Sequence, residues 1–403
     1  MKGTIEVGDI FRQYGERFRQ AHRLSQPQHQ ALNALAACRT AQLGGHVDQC
    51  DHCGHLRISY NSCRNRHCPK CQCLAKERWL EAREAELLGV KHFHLVSTLP
   101  HELHPLIRMN EALCYKLLFR AASHTLLQLA RQKKYLHAQA GMMAVLHTWG
   151  QNLSYHPHLH CLVPAGGLSL DGKRWIDSRK RFFLPVKVLS RLFRGKFLAA
   201  LKQAFTQGQL KVPPDTALAS MAQLNTYLRP LYRKEWVVYA KEPFGGPKQV
   251  IRYLGRYTHR VAISNDRILG GEDGKVRFRY KDYADQNRVK IMTLAANEFI
   301  RRFLMHILPP GFHKIRYYGL LATHNRGTKL TQARKALGQQ PIQKPPQRSW
   351  QQMLLELTGT DPGHCPKCEQ GHMITIETLK PGRAPPPQIK LPLSTTCTTL
   401  VRG

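Results

Sequence analysis

Apolar residues recur along the middle of this chain with two periods, one typical of strands and one typical of helices. Four apolar runs are predicted strands: 92–100, 142–150, 158–164 and 235–243. Two longer segments have the amphipathic pattern of a helix: 110–133 and 187–206. The predicted order is βαββαβ, and a further helix begins near Pro247, because proline favours the first helical position. This order predicts an α+β fold with a ferredoxin-like antiparallel sheet backed by helices.

The regions on either side predict shorter elements. Near the N-terminus Phe11, Tyr14 and Phe18 recur at helical spacing, and a break at Pro27 precedes a second helix near 28–37. Further elements are expected after the Pro247 helix. They are four short strands, a helix and a last strand: RVAIS (260–264), RILGG (267–271), KVRFRYKDY (275–283), VKIMTLA (289–295), residues 297–307 and KIRYYGLLA (314–322).

These patterns divide the chain into four parts. Residues 1–37 are expected to be helical, and 38–85 to form a module held by metal, because that stretch is dense in Cys, His, Asn and Gly. Residues 90–325 contain the βαββαβ pattern and the elements after it. Residues 328–403 are rich in Gln, Lys and Pro, which predicts a linker, a small CxxC segment and a disordered tail.

Composition adds a strong charge bias. The 403 residues include 61 Lys and Arg against 26 Asp and Glu, a formal net charge of +35. That excess favours a polyanionic partner, so nucleic acid is the expected ligand and an anionic membrane is the alternative. No apolar run reaches the roughly 18 residues of a membrane span, and the N-terminus has no apolar signal core. We therefore expect no membrane partner, a cytoplasmic location, and cysteines that bind metal rather than form disulfides.

Two CxxC pairs in the 38–85 segment have the spacing of zinc ligands. Cys50 and Cys53 are separated by 14 residues from Cys68 and Cys71. Each CxxC turn can place two thiolates on one side of a tetrahedral Zn²⁺, so these four cysteines are the predicted structural zinc site. A second site of the Cys2His2 type is a further candidate, formed by four residues nearby: Cys38, His46, Cys63 and His67.

Two other features accompany these cysteines. Cys365 and Cys368, with His364 and His372 nearby, make half a metal site with no identifiable partner. Polar and basic residues also cover the 38–85 module. They predict contact with nucleic acid, a solvated basic face being the alternative: Arg57, Arg64, Asn65, Arg66 and Lys70.

The candidate catalytic residues are two histidines and two tyrosines. His158 and His160 are two residues apart on a predicted strand and therefore point to the same face, so both imidazoles can bind one divalent cation. Tyr253 and Tyr257 are one turn apart on the Pro247 helix, the tyrosine helix, so both hydroxyls can address one pocket. Either pair alone is more typical of packing, but together they predict cleavage of a phosphodiester by tyrosine at a metal-polarised phosphate. The expected cation is Mg²⁺ or Mn²⁺, and imidazole ligands favour the transition metal.

A cation at the histidine pair needs a third protein ligand. Gln151 leaves the preceding strand just before the turn, so hairpin pairing could bring it beside His158. Gln151 is therefore the predicted ligand. Three residues compete with it: His147, His156 and Gln249.

The tyrosine helix also carries a stripe of like charge. Arg252, Arg256 and Arg260 are four residues apart and repel one another unless an anion lies between them, which predicts a DNA backbone along this face. Gly255 weakens a helix by ~1 kcal/mol. Its missing side chain is expected to let a DNA strand approach closely.

Three ordered motifs resemble a known family. HPHLHCLVP (the HUH pattern of histidine, bulky apolar residue, histidine), the RYLGRYTHR helix and the CDHCGH…SCRNRHCPKCQ knuckles are similar to the two-tyrosine rolling-circle transposases of the insertion sequence ninety-one family. The resemblance runs from about residue 25 to about residue 325. It implies that His158 and His160 bind the metal, that Tyr253 and Tyr257 are nucleophiles, and that 90–325 is an HUH catalytic domain. It implies nothing about the C-terminal cysteines.

The resemblance further implies an enzyme that nicks single-stranded DNA at transposon ends through a 5′-phosphotyrosine and transfers the strand to target DNA. The implied location is bacterial, at the nucleoid or a plasmid, and the sequence allows an oligomer. Two other functions fit part of the pattern. A plasmid replication initiator or relaxase shares the site, whereas a non-catalytic zinc-ribbon DNA-binding regulator explains the charge and cysteines but leaves both residue pairs unused.

Overall fold

The computed structural model describes most of the chain: residues 5–178, 184–212, 218–241, 247–259, 261–343 and 345–382. Six side chains of the tyrosine helix are outside the described part: Pro247, Lys248, Val250, Leu254, Arg256 and Tyr257. Residues 383–403, which contain most of the tail predicted within 328–403, also lie outside the described residues.

The described residues form helices and antiparallel strands. The helices are α1 Val7–Ala21, α2 Gln26–Ala37, α3 Gln72–Glu86, α4 His104–Met109, α5 Glu111–Arg131, α6 Val186–Thr206, α7 Met221–Arg233, α8 Pro247–Thr258, α9 Ala296–Leu304, α10 Thr331–Ala336 and α11 Trp350–Thr358. The strands are β1 Gly45–Cys50, β2 Leu56–Tyr60, β3 His92–Thr98, β4 Ala138–Gln139, β5 Gly141–Trp149, β6 Tyr155–Pro164, β7 Gly166–Ser169, β8 Trp175–Asp177, β9 Val238–Lys241, β10 Ile268–Gly270, β11 Lys275–Asp282, β12 Arg288–Ala295, β13 Ile315–Gly319 and β14 Met373–Leu379. None of the described helices is both long and apolar enough to cross a membrane.

A five-stranded antiparallel sheet organises the middle of the chain. Its strand order is β13-β5-β6-β3-β9, so β6 lies between β5 and β3. Helices α4 and α5 connect β3 towards β5, and α6 and α7 connect β6 towards β9. The main elements follow the predicted βαββαβ order and confirm an α+β architecture with antiparallel sheets. The more specific ferredoxin-like assignment stays a prediction.

The alternation of side chains along β6 separates two environments. Leu159 and Val163 point into the main apolar core, which α5 and α6 cover. His158 and His160 point to the opposite face, where α8 packs on the sheet. All residues of β5 are buried, as expected for a strand paired on both sides and covered on both faces. The sheet therefore places the candidate histidines beneath the tyrosine helix.

The N-terminal helices pack on the elements that follow the tyrosine helix. Phe11 of α1 meets Phe303 of α9 edge-on, with ring centroids 5.2 Å apart. Phe18 and Phe278 of β11 belong to the same buried cluster. The β10-β11-β12 sheet covers this cluster, so α1 and α2 share a core with residues 261–307.

One predicted strand is wrong. Residues 261–264, the described part of RVAIS, form no strand. Ala262 has a left-handed φ of 58°, and the Ile263 amide donates to the Val261 carbonyl at 2.7 Å. The chain therefore turns here instead of extending, and a 3-10 turn at Asn265–Arg267 follows.

The last described strand joins the cysteine-rich module near the N-terminus. β14 pairs antiparallel with β1, and β1 pairs with β2. The apolar cluster of this sheet is small, with Val47, Ile58 and Leu379 buried. Part of the segment predicted as linker and tail thus completes a sheet in the module.

Candidate active site and metal centres

Three histidines meet on the face of the central sheet that α8 covers. His158 and His160 lie two residues apart on β6, and His147 of β5 is the direct cross-strand partner of His158. One ligand nitrogen from each lies within 4.8 Å of the others, and the Nε2 atoms of His158 and His160 are 3.0 Å apart. The register of the β5–β6 hairpin therefore supplies a third imidazole to the predicted pair.

Gln151, the predicted third ligand, makes a different contact. It lies in the turn after Trp149, the last residue of β5. Its side-chain amide donates to the Tyr283 hydroxyl at 3.3 Å. Regular pairing is interrupted between His147 and Trp149, so the alternation that brings His147 to the cluster does not carry on to Gln151. The structure therefore places His147, one of the predicted alternatives, in the histidine cluster and leaves Gln151 outside it.

Hydrogen bonds at the outer nitrogens orient two of these rings. Nδ1 of His158 donates to the His156 carbonyl at 2.6 Å. Nδ1 of His160 lies 2.7 Å from Nε2 of His94 on β3. The His158 contact leaves its Nε2 lone pair directed into the cluster, and His160 has the same arrangement when its Nδ1 donates to His94, as metal-binding histidines require. His94 was not predicted, although its spacing from His92 repeats the His-x-His pattern.

Burial keeps these histidines neutral. Desolvation lowers the pKa of His158 to about 3 and that of His94 to about 4. It also holds the pKa of His147 and His160 well below the usual value. At neutral pH a metal therefore displaces no proton from the cluster. Three imidazoles also suit a transition metal better than Mg²⁺.

The tyrosine helix packs on α3 and on the sheet through small and apolar residues. Ile251 of α8 joins Leu80 of α3 and Met143 of β5 in a buried cluster. A Cβ added to Gly255 would lie 2.6 Å from Cδ2 of Leu80. The missing side chain at Gly255 therefore serves the approach of α3. The predicted reason, close approach of a DNA strand, is wrong.

Tyr253 lies beside the histidine cluster. Its ring meets the His94 ring edge-on with centroids 5.7 Å apart, and Tyr253 remains 40% exposed. One ring therefore separates this tyrosine from His160, and solvent reaches it. The side chain of Tyr257 lies outside the described residues, but its backbone is one turn further along α8.

The arginine stripe is described only at its first member. Nε of Arg252 lies 2.9 Å from Oε1 of Glu84 on α3, and the Arg252 side chain is 70% exposed. The Glu84 side chain is only 19% exposed, so the solvent-facing part of this pair is the guanidinium of Arg252. The side chain of Arg256 and the whole of Arg260 lie outside the described residues.

A basic cleft opens at the C-terminal end of α8. Its volume is about 290 Å³. It is lined by the cysteine module, the end of α8 and the segment before β13: Arg66, Gln72, Thr258, His259 and 311–315. None of these lining residues is acidic. Arg66 donates to the Phe312 carbonyl at 2.9 Å, and burial, followed by the charge of Arg66, lowers the pKa of Lys314 to about 7. The cleft, called here the Arg66–Lys314 cleft, suits an anion.

The cysteines group differently from the prediction. The first cysteine cluster contains Cys38, Cys63, Cys68 and Cys71, and the second contains Cys50, Cys53, Cys365 and Cys368. The predicted single site that joins both N-terminal CxxC pairs is therefore wrong. In the first cluster, Sγ of Cys71 lies 3.6 Å from Sγ of both Cys38 and Cys63. Four sulfurs at about 2.3 Å from one Zn²⁺ are about 3.8 Å apart, so this cluster fits a tetrahedral ion.

The two histidines of the predicted Cys2His2 site have other partners. Nε2 of His46 lies 3.5 Å from a carboxylate oxygen of Asp48. Nδ1 of His67 lies 3.0 Å from Oδ1 of Asn65, and its Nε2 accepts from the Leu308 amide at 3.3 Å. That predicted site is wrong, and its two cysteines belong to the first cluster instead.

Comparison with known proteins agrees with these features. Residues 10–99 match the family described as "Transposase zinc-binding domain", and residues 141–329 match the family described as "Putative transposase". The "Putative transposase y4qJ" of Sinorhizobium fredii (strain NBRC 101917 / NGR234) is 53% identical over 386 residues, which cover 94% of this chain and 97% of the relative. The chain belongs to the insertion sequence ninety-one (IS91) family of transposases.

A more distant relative has the same printed function. The "Transposase for insertion sequence element IS801" of Pseudomonas savastanoi pv. phaseolicola is 28% identical over 347 residues, which cover 84% of this transposase and 81% of the relative. No solved structure matches the transposase.

The matched segments coincide with parts of the site. The zinc-binding match contains the whole first cysteine cluster, and together with the cluster geometry it supports a structural Zn²⁺ in this transposase. The second match contains the three histidines and α8. As a transposase, the protein acts on DNA, and DNA is the kind of polyanionic partner that its positive net charge predicts.

Proposed function

We propose that this transposase nicks single-stranded DNA at the ends of its element through a 5′-phosphotyrosine and transfers the strand to target DNA by rolling-circle transposition. The observation that carries the proposal is the position of Tyr253 beside the histidine cluster. A nucleophile, a set of metal ligands and a basic cleft meet around α8. Cleavage of a phosphodiester by tyrosine needs these three parts.

In this proposal His147, His158 and His160 hold the catalytic divalent cation. A cation bound there would supply Lewis-acid polarisation of the scissile phosphate. Three nitrogen ligands favour Mn²⁺ over Mg²⁺. His94 holds the outer nitrogen of His160, so it positions a ligand without binding the ion itself.

Tyr253 is the proposed first nucleophile. Its Oη attacks the phosphorus, a new P–O bond forms to the phenol, and the bond from phosphorus to the DNA 3′ oxygen breaks. The phenol proton passes to water and the departing 3′ oxygen takes up a proton, which leaves a free 3′-OH. Attack by a target 3′-OH later reverses these bonds and releases Tyr253. The covalent linkage conserves the phosphodiester energy, so joining needs no ATP.

Tyr257 is proposed to hold a second strand end. It lies one helical turn from Tyr253 on the same helix, and residues at that spacing share a face. Two nucleophiles on one face allow a second 5′ end to be held while the first is still attached. Donor and target strands can then be exchanged.

The DNA strand is proposed to run from the histidine cluster to the Arg66–Lys314 cleft. The cleft lies at the end of the helix that carries Tyr253, and its described lining has no acidic residue that would repel a phosphate. Arg252 supports the same path, because its guanidinium is largely exposed and can face a phosphate. The proposed phosphate contacts are Arg64, Arg66, Arg252, Arg256 and Arg260.

The proposal is tested with labelled single-stranded oligonucleotides from the DNA that flanks the coding sequence. Incubation with Mn²⁺ followed by denaturing electrophoresis should show a covalent protein–DNA adduct and a shortened strand with a free 3′-OH. Tyr253→Phe should abolish the first nick, whereas Tyr257→Phe should retain it and block strand exchange. Tyr232→Phe is the matched control, because Tyr232 is also exposed but lies on α7, in the layer on the other side of the sheet.

Each outcome separates the proposal from its rivals. A DNA-binding regulator gives no adduct with any strand. A replication initiator gives adducts but no new insertion when a marked donor and a target plasmid are supplied. Undiminished adducts in the Tyr253→Phe/Tyr257→Phe double variant would exclude both tyrosines as nucleophiles.

A further inference from the structure

We propose that the second cysteine cluster binds its own Zn²⁺ and that this ion fastens the C-terminal segment to the N-terminal module. Cys50 is the last residue of β1 and Cys53 follows it, whereas Cys365 and Cys368 precede β14. The family match to a zinc-binding domain ends at residue 99 and therefore contains only half of these ligands. The site is split between distant parts of the chain.

The sulfur positions fit a tetrahedral ion rather than disulfides. Sγ of Cys50 lies 3.7 Å from Sγ of Cys368, and Sγ of Cys53 lies 3.7 Å from Sγ of Cys365. The edge of a zinc–sulfur tetrahedron is about 3.8 Å. A disulfide requires about 2.05 Å between sulfurs. Each of these two distances joins a cysteine of the N-terminal CxxC pair to one of the C-terminal pair, so each pair supplies two of the four ligands.

Backbone amides point at three of the four sulfurs. The Cys53 amide donates to Sγ of Cys50, the Lys367 amide to Sγ of Cys365, and the Gly371 amide to Sγ of Cys368, each at 3.4 Å. Such donors stabilise thiolate, the form that binds metal. This pattern is present in both halves of the site, which is what a preorganised ligand set requires.

Gly371 lets the two halves meet. A Cβ built at this residue would overlap Sγ of Cys50 and would lie 2.7 Å from Oδ1 of Asp51. The amide of neighbouring His372 donates to the same Asp51 oxygen at 2.7 Å. Any side chain at Gly371 would push the C-terminal half away from Cys50.

The surrounding sheet is joined by backbone pairing of β14 with β1, but it buries little apolar surface. The side chains of Ile374 and Ile376 on β14 are each 54% exposed, and the apolar cluster beneath the sheet is small. A small module without a sizeable core relies on metal for its folding free energy. The buried carboxylate of Asp48 adds one polar tie, because it accepts from Thr375 on β14 at 2.8 Å.

The ion would also tie the C-terminal segment to the helix that supports the tyrosines. Between the basic linker and the second cluster, α11 contacts α3, and Arg348 pairs with Glu81 of α3. α3 in turn packs against α8 through Leu80 and Gly255. A zinc ion at Cys365 and Cys368 would therefore fix the position of the segment that contacts α3, the helix on which the tyrosine helix packs.

The test counts metal in the full chain by mass spectrometry. The histidine cluster is first disabled with His158→Ala/His160→Ala, so that it adds no ion to the count. In that background we expect two zinc ions per chain, falling to one with Cys365→Ser/Cys368→Ser. Lys367→Ala is the matched control, because it is exposed in the same CxxC turn and offers no ligand; it should retain both ions. A single ion in the parent, or no loss in the serine variant, would overturn the proposal.

Thiol alkylation of the unaltered chain gives a readout that needs no variant. With zinc bound, all four cysteines of the second cluster should resist iodoacetamide, including Cys53, although its residue is exposed. A chelator should make the four reactive together, before the more buried first cluster. Immediate alkylation of Cys365 and Cys368 in the zinc-loaded protein would contradict the site, and so would a disulfide within the cluster after purification under non-reducing conditions.

Discussion

At the scale of single residues, the histidine site shows what sequence spacing can and cannot predict. The His158 and His160 pair follows from strand alternation, which is local. The choice between His147 and Gln151 depends on cross-strand register and on the interruption of pairing near Trp149, and spacing contains neither. His94 was missed for the same reason, because its role appears only when β3 lies beside β6.

Metal affinity should follow this arrangement of ligands. We expect His147→Ala to abolish measurable Mn²⁺ binding at the cluster, since it removes a coordinating nitrogen. His94→Ala should weaken Mn²⁺ binding by about 10–100-fold, the range typical of residues that orient a ligand. Calorimetric titration measures both. Gln151→Ala is the control and should bind Mn²⁺ as the parent does; a loss equal to that of His147→Ala would restore Gln151 as a ligand.

A buried histidine away from the metal ligands should make stability depend on pH. Nε2 of His306 donates to the Leu153 carbonyl at 3.2 Å, and its Nδ1 lies 3.2 Å from the Thr148 hydroxyl. Desolvation lowers the pKa of His306 to about 4 from a usual value of 6.5. The unfolded chain binds the proton first as pH falls, so this contribution to stability is complete above pH 6.5 and is lost towards pH 4.

The change at His306 amounts to about 3 kcal/mol between neutral pH and pH 4. Urea unfolding at several pH values should show that His306→Gln removes that much of the pH dependence, because glutamine keeps polar atoms but does not titrate. Equal pH dependence in the parent and the variant would show that His306 is not buried as the neutral ring.

At the scale of elements, the central strands and helices were predictable because each has a long, regular apolar pattern. The RVAIS segment was mispredicted because a short β-branched stretch says nothing about the left-handed turn at Ala262. The role of Gly255 was also misread. A glycine in a helix signals close approach, but only the packing of α3 identifies the approaching group as Leu80.

The contact between Gly255 and Leu80 predicts a change of sign in a double-mutant cycle. Gly255→Ala alone should destabilise the protein by about 1–3 kcal/mol, because the added methyl meets Leu80 in a packed cluster. In a Leu80→Ala background the same change should be neutral or stabilising by up to ~1 kcal/mol, since alanine is the better helix former. Chemical denaturation of the four proteins measures the coupling. Additive effects would show that α3 and α8 are not in contact at this point.

At the scale of the whole molecule, the sequence identifies the candidate cysteine ligands but does not show which of them share a metal site. CxxC spacing identifies a turn that can hold two thiolates, and it says nothing about which turns meet. Cys50 and Cys53 cluster with cysteines more than 300 residues away in the sequence, because β14 pairs with β1. The net charge follows from composition alone, but the position of the Arg66–Lys314 cleft at the end of α8 depends on the fold.

The location of that charge can be tested through the salt dependence of single-strand binding. Each phosphate contact contributes about 0.7 to the slope of log affinity against log salt concentration. Arg64 is exposed and lies two positions before Arg66 in the sequence. Arg233 is also exposed but lies on α7, in the layer on the other side of the sheet. We therefore expect Arg64→Gln to reduce the slope by about 0.7 and Arg233→Gln to leave it unchanged in fluorescence titrations. Equal changes in both variants would mean that the net charge of +35 acts as a diffuse field and that the cleft is not the path of the strand.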